Sequence, residues 1–267
     1  MQSSKEIQIM ASDFEQRRFY RETCVGMQDD GRCARYAIQC PDGEGVVVCR
    51  QVFPGIEVSV NNFQAHRCLE CYDTGDPFQL DFCCAGRFAC EFSHQETCVL
   101  EPGSMAAHHA DRSDNMESIF PQGYYQGVNL IIDFEQAADF ASRQFGVLAP
   151  DFLALRERLL SDTWFRVWRA DAGCIAIFQE VSAAATQMEE KLRQLKILEL
   201  LCRLEHSPSK QEQTSYLPKA QMELARQVRE RLIHGRPGSS HSPTIAPVEI
   251  QSYVYFLSLK LAGWGPD

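Results

Sequence analysis

His66, Cys68 and Cys71 stand in an H-x-C-x-x-C spacing. Two thiolates and an imidazole that close can hold zinc, with Cys49 or His109 as a fourth ligand. A structural zinc site normally brings a second ligand pair at similar spacing. The next cysteines, Cys83 and Cys84, are adjacent in a strand-like run, so their side chains point to opposite faces. The pattern reads as plain thiols, and no metal is assigned. A redox C-x-x-C needs a helix N-terminus to lower its thiol pKa, and the surroundings here read as a loop or strand end. His108 and His109 form an adjacent pair behind a Glu-Pro-Gly turn, which reads as solvated. There is no G-x-S-x-G elbow and no phosphate-binding loop, and the scattered Ser, His and Asp residues fall into no triad spacing. No catalytic residue and no cofactor follow, so the chain reads as a non-enzyme.

Ligand binding suits the residues better. The candidate pocket residues are the aromatics Phe63, Phe82, Phe88, Tyr124 and Tyr125, with His66, Asp81 and Arg87 as polar contacts. A small barrel encloses one ligand when side chains do not completely fill its inward face. The same aromatics also suit plain core.

The elements that must position them are mostly strands. Ile56-Glu57-Val58-Ser59-Val60 alternates apolar and polar, as does Glu6-Ile7-Gln8-Ile9. Val46 to Cys49 follows a Pro-Asp-Gly turn. Phe78 to Cys84 and Phe88 to Phe92 alternate on either side of Ala85-Gly86, which is the pattern of a β-hairpin. Another strand, Thr97 to Leu100, ends at the turn Glu101-Pro102-Gly103, and an apolar run spans Gly127 to Ile132. Many short strands with close turns predict a sandwich or small barrel.

The period changes at Asp133. That residue caps a helix with Gln136 as its box partner, and Gly146 ends it. A second helix starts near Asp151 and turns Leu155, Leu159 and Leu160 inward. A short extended segment spans Trp164 to Arg169. Asp171 caps a third helix to about Val181. The longest helix runs Thr186 to Glu205 with the stripe Met188, Leu192, Leu195, Leu198, Leu201, Cys202 and Leu204, which suits either core or a dimer seam. Residues 207–215 are a polar linker. A helix over 216–235 buries Met222, Ala225, Val228 and Leu232; its Arg and Lys residues suit a solvated face or phosphate contacts. Residues 236–267 open with a stretch too rich in Pro and Gly for regular structure.

The chain has 267 residues and a net charge of −10, with 45% hydrophobic and 23% charged residues. That is enough apolar material for a sizeable core. An acidic chain is a poor non-specific nucleic-acid binder. No apolar run is long enough to cross a membrane, and no signal peptide is evident. The expected compartment is the cytoplasm, where the twelve cysteines would be reduced.

Four segments together resemble the effector-sensing half of the AraC family of bacterial transcription regulators. They are FPGIEVSVNNFQAHRC at 53–68, FQLDFCCAGRFACEF at 78–92, VLEPGSMA at 99–106 and SIFPQGYYQGVNLIID at 118–133. The helices DFLALRERL at 151–159 and KLRQLKILELLCRL at 191–204 sit where that family has its sensor-domain helices. The resemblance covers roughly residues 40 to 234. It implies an α+β chain: a cupin-like effector-sensing β-barrel over 1–133, a helical dimerisation region over 134–206, then the start of a helix-turn-helix DNA-binding domain. SYLPKAQMELARQVRERLIHG at 215–235 looks like that domain's first helix. The implied partners are a small-molecule effector and a second copy of the chain, joined through Leu192, Leu195, Leu198, Leu201 and Cys202.

The departure from the family lies at the C-terminal side. Only 51 residues follow Tyr216, and neither recognition helix is evident in 236–267. A recognition helix needs a packed trihelical scaffold to enter the major groove. The expectation is a truncated or frame-shifted regulator that binds DNA only if its C-terminal domain is complete. The alternative is a stand-alone cupin-like small-molecule-binding protein. A metal-dependent cupin enzyme is the third reading, and its His-x-His ligand pair is missing from the sequence.

Overall fold

The computed structural model describes residues 23–29, 33–70, 78–91, 97–109, 116–160, 165–183 and 190–206. The expected strand at 6–9, the linker 207–215, the helix 216–235 and the tail 236–267 lie outside the described residues. So do Cys71, Met188 and the start of the helix expected from Thr186.

The described residues form twelve strands, in chain order. They are β1 (Cys24–Asp29), β2 (Cys33–Cys40), β3 (Gly43–Phe53), β4 (Ile56–Gln64), β5 (Arg67–Glu70), β6 (Phe78–Gly86), β7 (Phe88–Glu91), β8 (Thr97–Leu100), β9 (Ser104–His109), β10 (Met116–Ile119), β11 (Tyr125–Ile132) and β12 (Phe165–Arg169). They form an eight-stranded sheet in the order β1-β2-β3-β4-β11-β6-β9-β12 and a four-stranded sheet in the order β5-β10-β7-β8. All described pairings are antiparallel.

Two expectations change here. Among the described strands neither sheet closes on itself, so the β region is a pair of facing open sheets and not a closed barrel. The expected hairpin at 78–92 is not one either. β6 pairs with β11 and β9, while β7 pairs with β10 and β8 in the other sheet. The chain changes sheet at Gly86-Arg87. Gly86 has φ 76°, and a Cβ there would lie 2.3 Å from the Tyr124 carbonyl oxygen, so the corner takes glycine. Alternation on both sides of a short break predicts two strands, but it does not say whether they pair or part.

Similar corners carry β4 into β5, β8 into β9, and β10 into β11. At the second of these, Ser104 N–H donates to the Glu101 carbonyl at 2.8 Å, closing the turn expected from Glu-Pro-Gly. The corners at 65–66 and 120–124 meet each other, with the Phe120 N–H donating to the His66 carbonyl at 2.7 Å.

The large sheet is buried on both faces. Val58, Phe78, Leu80, Phe82, Met105, Val128, Leu130 and Ile132 form one core with the helices α1 (Phe134–Phe145), α2 (Phe152–Leu160), α3 (Ala172–Ala183) and α4 (Glu190–His206). On the opposite face, Tyr36, Ile38, Val47, Phe63, Tyr125 and Ile131 share a core with Cys68, Cys90 and Leu100 of the small sheet. The molecule thus has three layers: small sheet, large sheet, helices.

The helix starts follow the sequence signals. Asp133 Oδ1 accepts from Gln136 N–H at 3.0 Å, and Gly146 ends α1 with φ 53°. Asp151 Oδ1 accepts from Ala154 N–H at 3.0 Å, and Asp171 Oδ1 from Gly173 and Cys174 N–H at 2.8 and 2.9 Å. The buried stripe of α4 is rotated from the sequence reading. Arg193, Ile197, Leu200, Leu201 and Leu204 face the core, with the Arg193 guanidinium 2.6 Å from Glu190, while Leu192 and Leu195 face outward.

Candidate functional site

The inner face of the large sheet, toward the small sheet, is built by strand alternation. Opposite the helix-facing Ile56 and Val58, β4 points Glu57, Ser59, Asn61 and Phe63 inward. β11 contributes Tyr125, Gly127, Asn129 and Ile131, β6 contributes Gln79, Asp81 and Cys83, and β9 contributes Ser104, Ala106 and His108. The register lines these up in rows. Cys49, Ser59, Asn129, Asp81 and Ala106 run across five strands, and Glu57, Ile131, Gln79 and His108 form the next row.

The face divides into two halves. The half at the end of β4 and the start of β11 is filled by rings. Phe63 stacks on Phe120 with centroids 5.0 Å apart, Phe120 on Tyr125 at 5.4 Å, and Phe88 lies 5.4 Å from Tyr125. Gly127 leaves room for the Tyr125 ring, whose hydroxyl would be 2.1 Å from a Cβ there.

The other half is polar and equally buried. His108 Nε2–H donates to Asp81 Oδ2 at 2.9 Å, since an ionised carboxylate only accepts. Gln79 Nε2–H donates to Asp81 Oδ1 at 2.8 Å, which by the same logic fixes the amide and turns Gln79 Oε1 away. Asn61 Nδ2–H donates to Asn129 Oδ1 at 2.8 Å. Three atoms of this strip have no hydrogen-bond partner among the described residues: Ser59 Oγ, Asn61 Oδ1 and Gln79 Oε1. Their residues are 0%, 2% and 5% exposed, so bulk water does not satisfy them. An unpaired buried polar group costs about 1–3 kcal/mol. Their clustering on one face makes this strip the candidate site.

Beside this strip, burial pushes the Cys49 thiol well above the ordinary thiol range. The Glu57 carboxylate, to which it is hydrogen-bonded, raises it further. Cys49 is thus held protonated and unreactive. Cys174, at the start of α3, is pushed up to about 12 by burial and by Asp171.

The structure brings some of the sequence candidates together and separates others. Phe63, Phe88 and Tyr125 are in the ring cluster, and Asp81 anchors the polar strip. Phe82 has the opposite parity to Asp81. It faces the helices and stacks on Phe178 with centroids 4.4 Å apart. His66 lies at an exposed corner, with Nδ1 3.1 Å from Asp42 Oδ2. Arg87 lies 3.0 Å from Glu101 at the corner after β6. Tyr124 is exposed. Cys68 is buried between the sheets, apart from the His66 ring's partner Asp42. No group of three His, Cys, Asp or Glu side chains is placed to hold a metal ion among the described residues.

His108 corrects the sequence reading. It is a buried strand residue and not part of a solvated loop. Glu57, Ser59, Asn61, Gln79 and Asn129 were not candidates at all. Their signal was present as polar residues at alternate positions of apolar strands. That pattern ordinarily marks a solvent face, and here a second sheet covers it.

Of the expected seam on α4, Leu192 and Leu195 are 46% and 62% exposed. Leu198 and Cys202 are half-buried, and Leu201 is in the core. No described helix is long and apolar enough to cross a membrane.

No family model matches the chain, and no curated protein matches it. Solved structures similar to it include the AraC-like transcriptional activator CuxR, at 13% identity, 84% of this chain, 85% of that one and a TM-score of 0.39. Unsaturated fatty acid-bound ToxT from Vibrio cholerae matches at 11% identity over 81% of this chain and 76% of that one, with a TM-score of 0.39. A cupin superfamily protein from Desulfitobacterium hafniense matches at 12% identity over 36% of this chain and 83% of that one, with a TM-score of 0.28.

Proposed function

We propose that this chain is the effector-sensing and dimerisation part of an AraC-type transcription regulator, with a cupin-like two-sheet sensor that is not catalytic. The observation that carries this reading is the buried polar strip with its three unpaired atoms. The four segments that resemble the AraC family supply β4, β6, β11 and the first half of β9, and the corners at 65–66, 86–87, 101–103 and 120–124. A small molecule seated between the sheets would bridge them and bias how the helical layer is held. The exposed Leu192 and Leu195 on α4 fit a two-fold contact between copies. DNA binding by this chain depends on a complete C-terminal domain, and the cytoplasm is the compartment in which such a regulator works.

Light scattering of the full chain, with and without added metabolites, tests this reading. The expected result is a dimer that Leu195→Glu converts to monomer, and a thermal midpoint that rises in the presence of an effector. A strictly monomeric chain at tens of micromolar removes the dimerisation half. The same polar strip also supports a stand-alone small-molecule-binding protein, which predicts ligand stabilisation without dimerisation.

A further inference from the structure

The helices α3 and α4 share an apolar contact, with Cys174, Ile177, Phe178 and Val181 in one core with Ile197, Leu200, Leu201 and Leu204. Charged side chains border that contact. Arg203 donates to Glu199 Oε1 from Nε at 3.0 Å and from Nη2 at 2.9 Å. Lys196 Nζ lies 3.6 Å from Glu199 Oε2 and 2.9 Å from Glu180 Oε2. With Asp171 at the cap of α3, the order is Asp171, Arg203, Glu199, Lys196 and Glu180. The signs alternate, and the ladder starts at the first turn of α3 and returns to its C-terminal half.

Gly173 shows how closely the ladder is seated. It stands in the first turn of α3, where alanine is the better helix former. A Cβ there would lie 2.5 Å from Arg203 Nη1, 2.9 Å from Arg203 Cζ and 3.1 Å from Asp171 Oδ1. The guanidinium therefore rests on the bare backbone of α3. A cation at a helix N-terminus opposes the helix dipole, and here Asp171 and Glu199 flank it and offset that cost. Arg203 is in the last turn of α4, from which the chain continues into residues 207–267. Lys196 is the neighbour of the exposed Leu195.

We propose that Arg203 is a latch: seated on Gly173, it fixes the last turn of α4 to the first turn of α3, and with the Lys196–Glu180 pair it sets the angle at which α4 presents Leu192 and Leu195. The latch can be released without unfolding the core. The Arg203 and Glu199 side chains are 46% and 41% exposed, so salt screens them, while the apolar contact beside them stays in place. Only the presentation of the leucines rests on the dimerisation reading proposed above.

Hydrogen exchange of the full chain tests the latch at the amides of 203–206. Raising sodium chloride from ~20 mM to ~500 mM shortens the Debye length from about 20 Å to about 4 Å. The expected result is exchange about two- to fivefold faster, the range that exposed ion pairs support. Arg203→Ala and Gly173→Ala should each give that acceleration at low salt and leave less salt response. Exchange that ignores both salt and Arg203→Ala overturns the latch. Thermal midpoints add a test of sign. Gly173→Ala should raise the midpoint in the Arg203→Ala background, where the place of the Cβ is clear, and should raise it less or lower it in the parent. An equal rise in both backgrounds means that Arg203 does not rest on Gly173, and overturns the latch as well. Light scattering of the same variants separates the latch from the dimerisation reading. A parent dimer that both variants weaken by about twofold or more supports the presentation of the leucines. A parent dimer that neither variant changes overturns that part. A monomeric parent removes the dimerisation reading, and exchange and midpoints still decide the latch.

Discussion

The two faces of the large sheet are made by the same strands and do different work. On β11, Val128, Leu130 and Ile132 meet the helices, while Tyr125, Gly127, Asn129 and Ile131 meet the small sheet. The helix-facing side is apolar from Ile56 to Met105, and its side chains interdigitate with four helices. The inner side is apolar and aromatic at one end and carries buried polar side chains at the other, among them Glu57, Ser59, Asn61, Gln79, Asp81, His108 and Asn129. Burial alone therefore does not separate core from site. The distinction is whether the buried atoms find partners. On the helix side the buried Arg193 guanidinium is met by Glu190, whereas the strip keeps Ser59 Oγ, Asn61 Oδ1 and Gln79 Oε1, which lack a partner among the described residues. Selection for stability alone would have replaced them with apolar groups.

The largest test of this contrast is on the helix side. Phe82→Ala removes the ring stacked on Phe178 and leaves a cavity between sheet and α3, at an expected cost of about 3–5 kcal/mol in urea unfolding. A cost below ~1 kcal/mol would mean that the helices do not pack on this sheet as described. Ligand affinity, measured where the variant remains folded, should change little, since Phe82 does not reach the strip.

The next effect is on the inner side. Asp81→Ala strips the acceptor from both His108 Nε2–H and the Gln79 amide, and each donor left buried costs about 1–3 kcal/mol. Two such donors together make a loss of the same order as for Phe82→Ala, and ligand binding at the strip should fall with it. An Asp81→Ala protein as stable as the parent would show that the strip is wet and that its hydrogen bonds contribute nothing net.

Much of the fold was legible in the sequence, because the local signals are strong. The caps at Asp133, Asp151 and Asp171 and the turn at Glu101-Pro102-Gly103 fall where the sequence puts them, and β4, β6 and β11 occupy the alternating or apolar runs. Strand partnership was not legible. Ala85-Gly86 looks like a hairpin turn, yet Gly86 turns the chain into the other sheet, a choice made by contacts with Tyr124 and Tyr125 that are distant in sequence. The site was half legible for a related reason. Asp81, Phe63, Phe88 and Tyr125 could be picked by residue type. Ser59, Asn61 and Gln79 could not, since their alternation with Val and Leu is also the pattern of a solvent face. In α4 the leucine stripe is half right: the core takes Leu201 and Leu204 from it, but Ile197 and Leu200 in place of Leu192 and Leu195, with Arg193 covered by its Glu190 pairing.

A smaller effect tests the helical layer independently of either face. Asp171 accepts from two backbone N–H groups at the start of α3, so Asp171→Ala should cost about 1 kcal/mol near neutral pH. Burial opposes ionisation of this carboxyl, but the hydrogen bonds from Cys174 and Gly173 outweigh it and hold the group below the ordinary carboxylate range. A carboxyl lowered in the folded state stabilises fully above its unfolded pKa, and that contribution is lost as pH falls through the folded value. The gap between parent and Asp171→Ala should therefore close on acidification below about pH 4. A gap that is constant down to strong acid would mean that the cap's charge plays no part.

The smallest effect on stability is the sharpest on the comparison, because it predicts a sign. Ser59→Ala deletes a hydroxyl that is buried and without a partner among the described residues, at nearly the same side-chain volume. No bond is lost and a desolvation penalty is removed, so stability should be unchanged or rise by up to ~1 kcal/mol. The same truncation on the helix side, Val58→Ala for instance, removes buried methyl groups with no such relief and should destabilise by about 1–3 kcal/mol. Denaturant midpoints measured side by side decide the point. If Ser59→Ala destabilises as much as Val58→Ala, the strip is a core like the opposite face and its polar atoms are structural. If Ser59→Ala is neutral or stabilising while ligand affinity falls, the hydroxyl is kept for binding at the expense of the fold. That trade is what separates the two faces of the sheet.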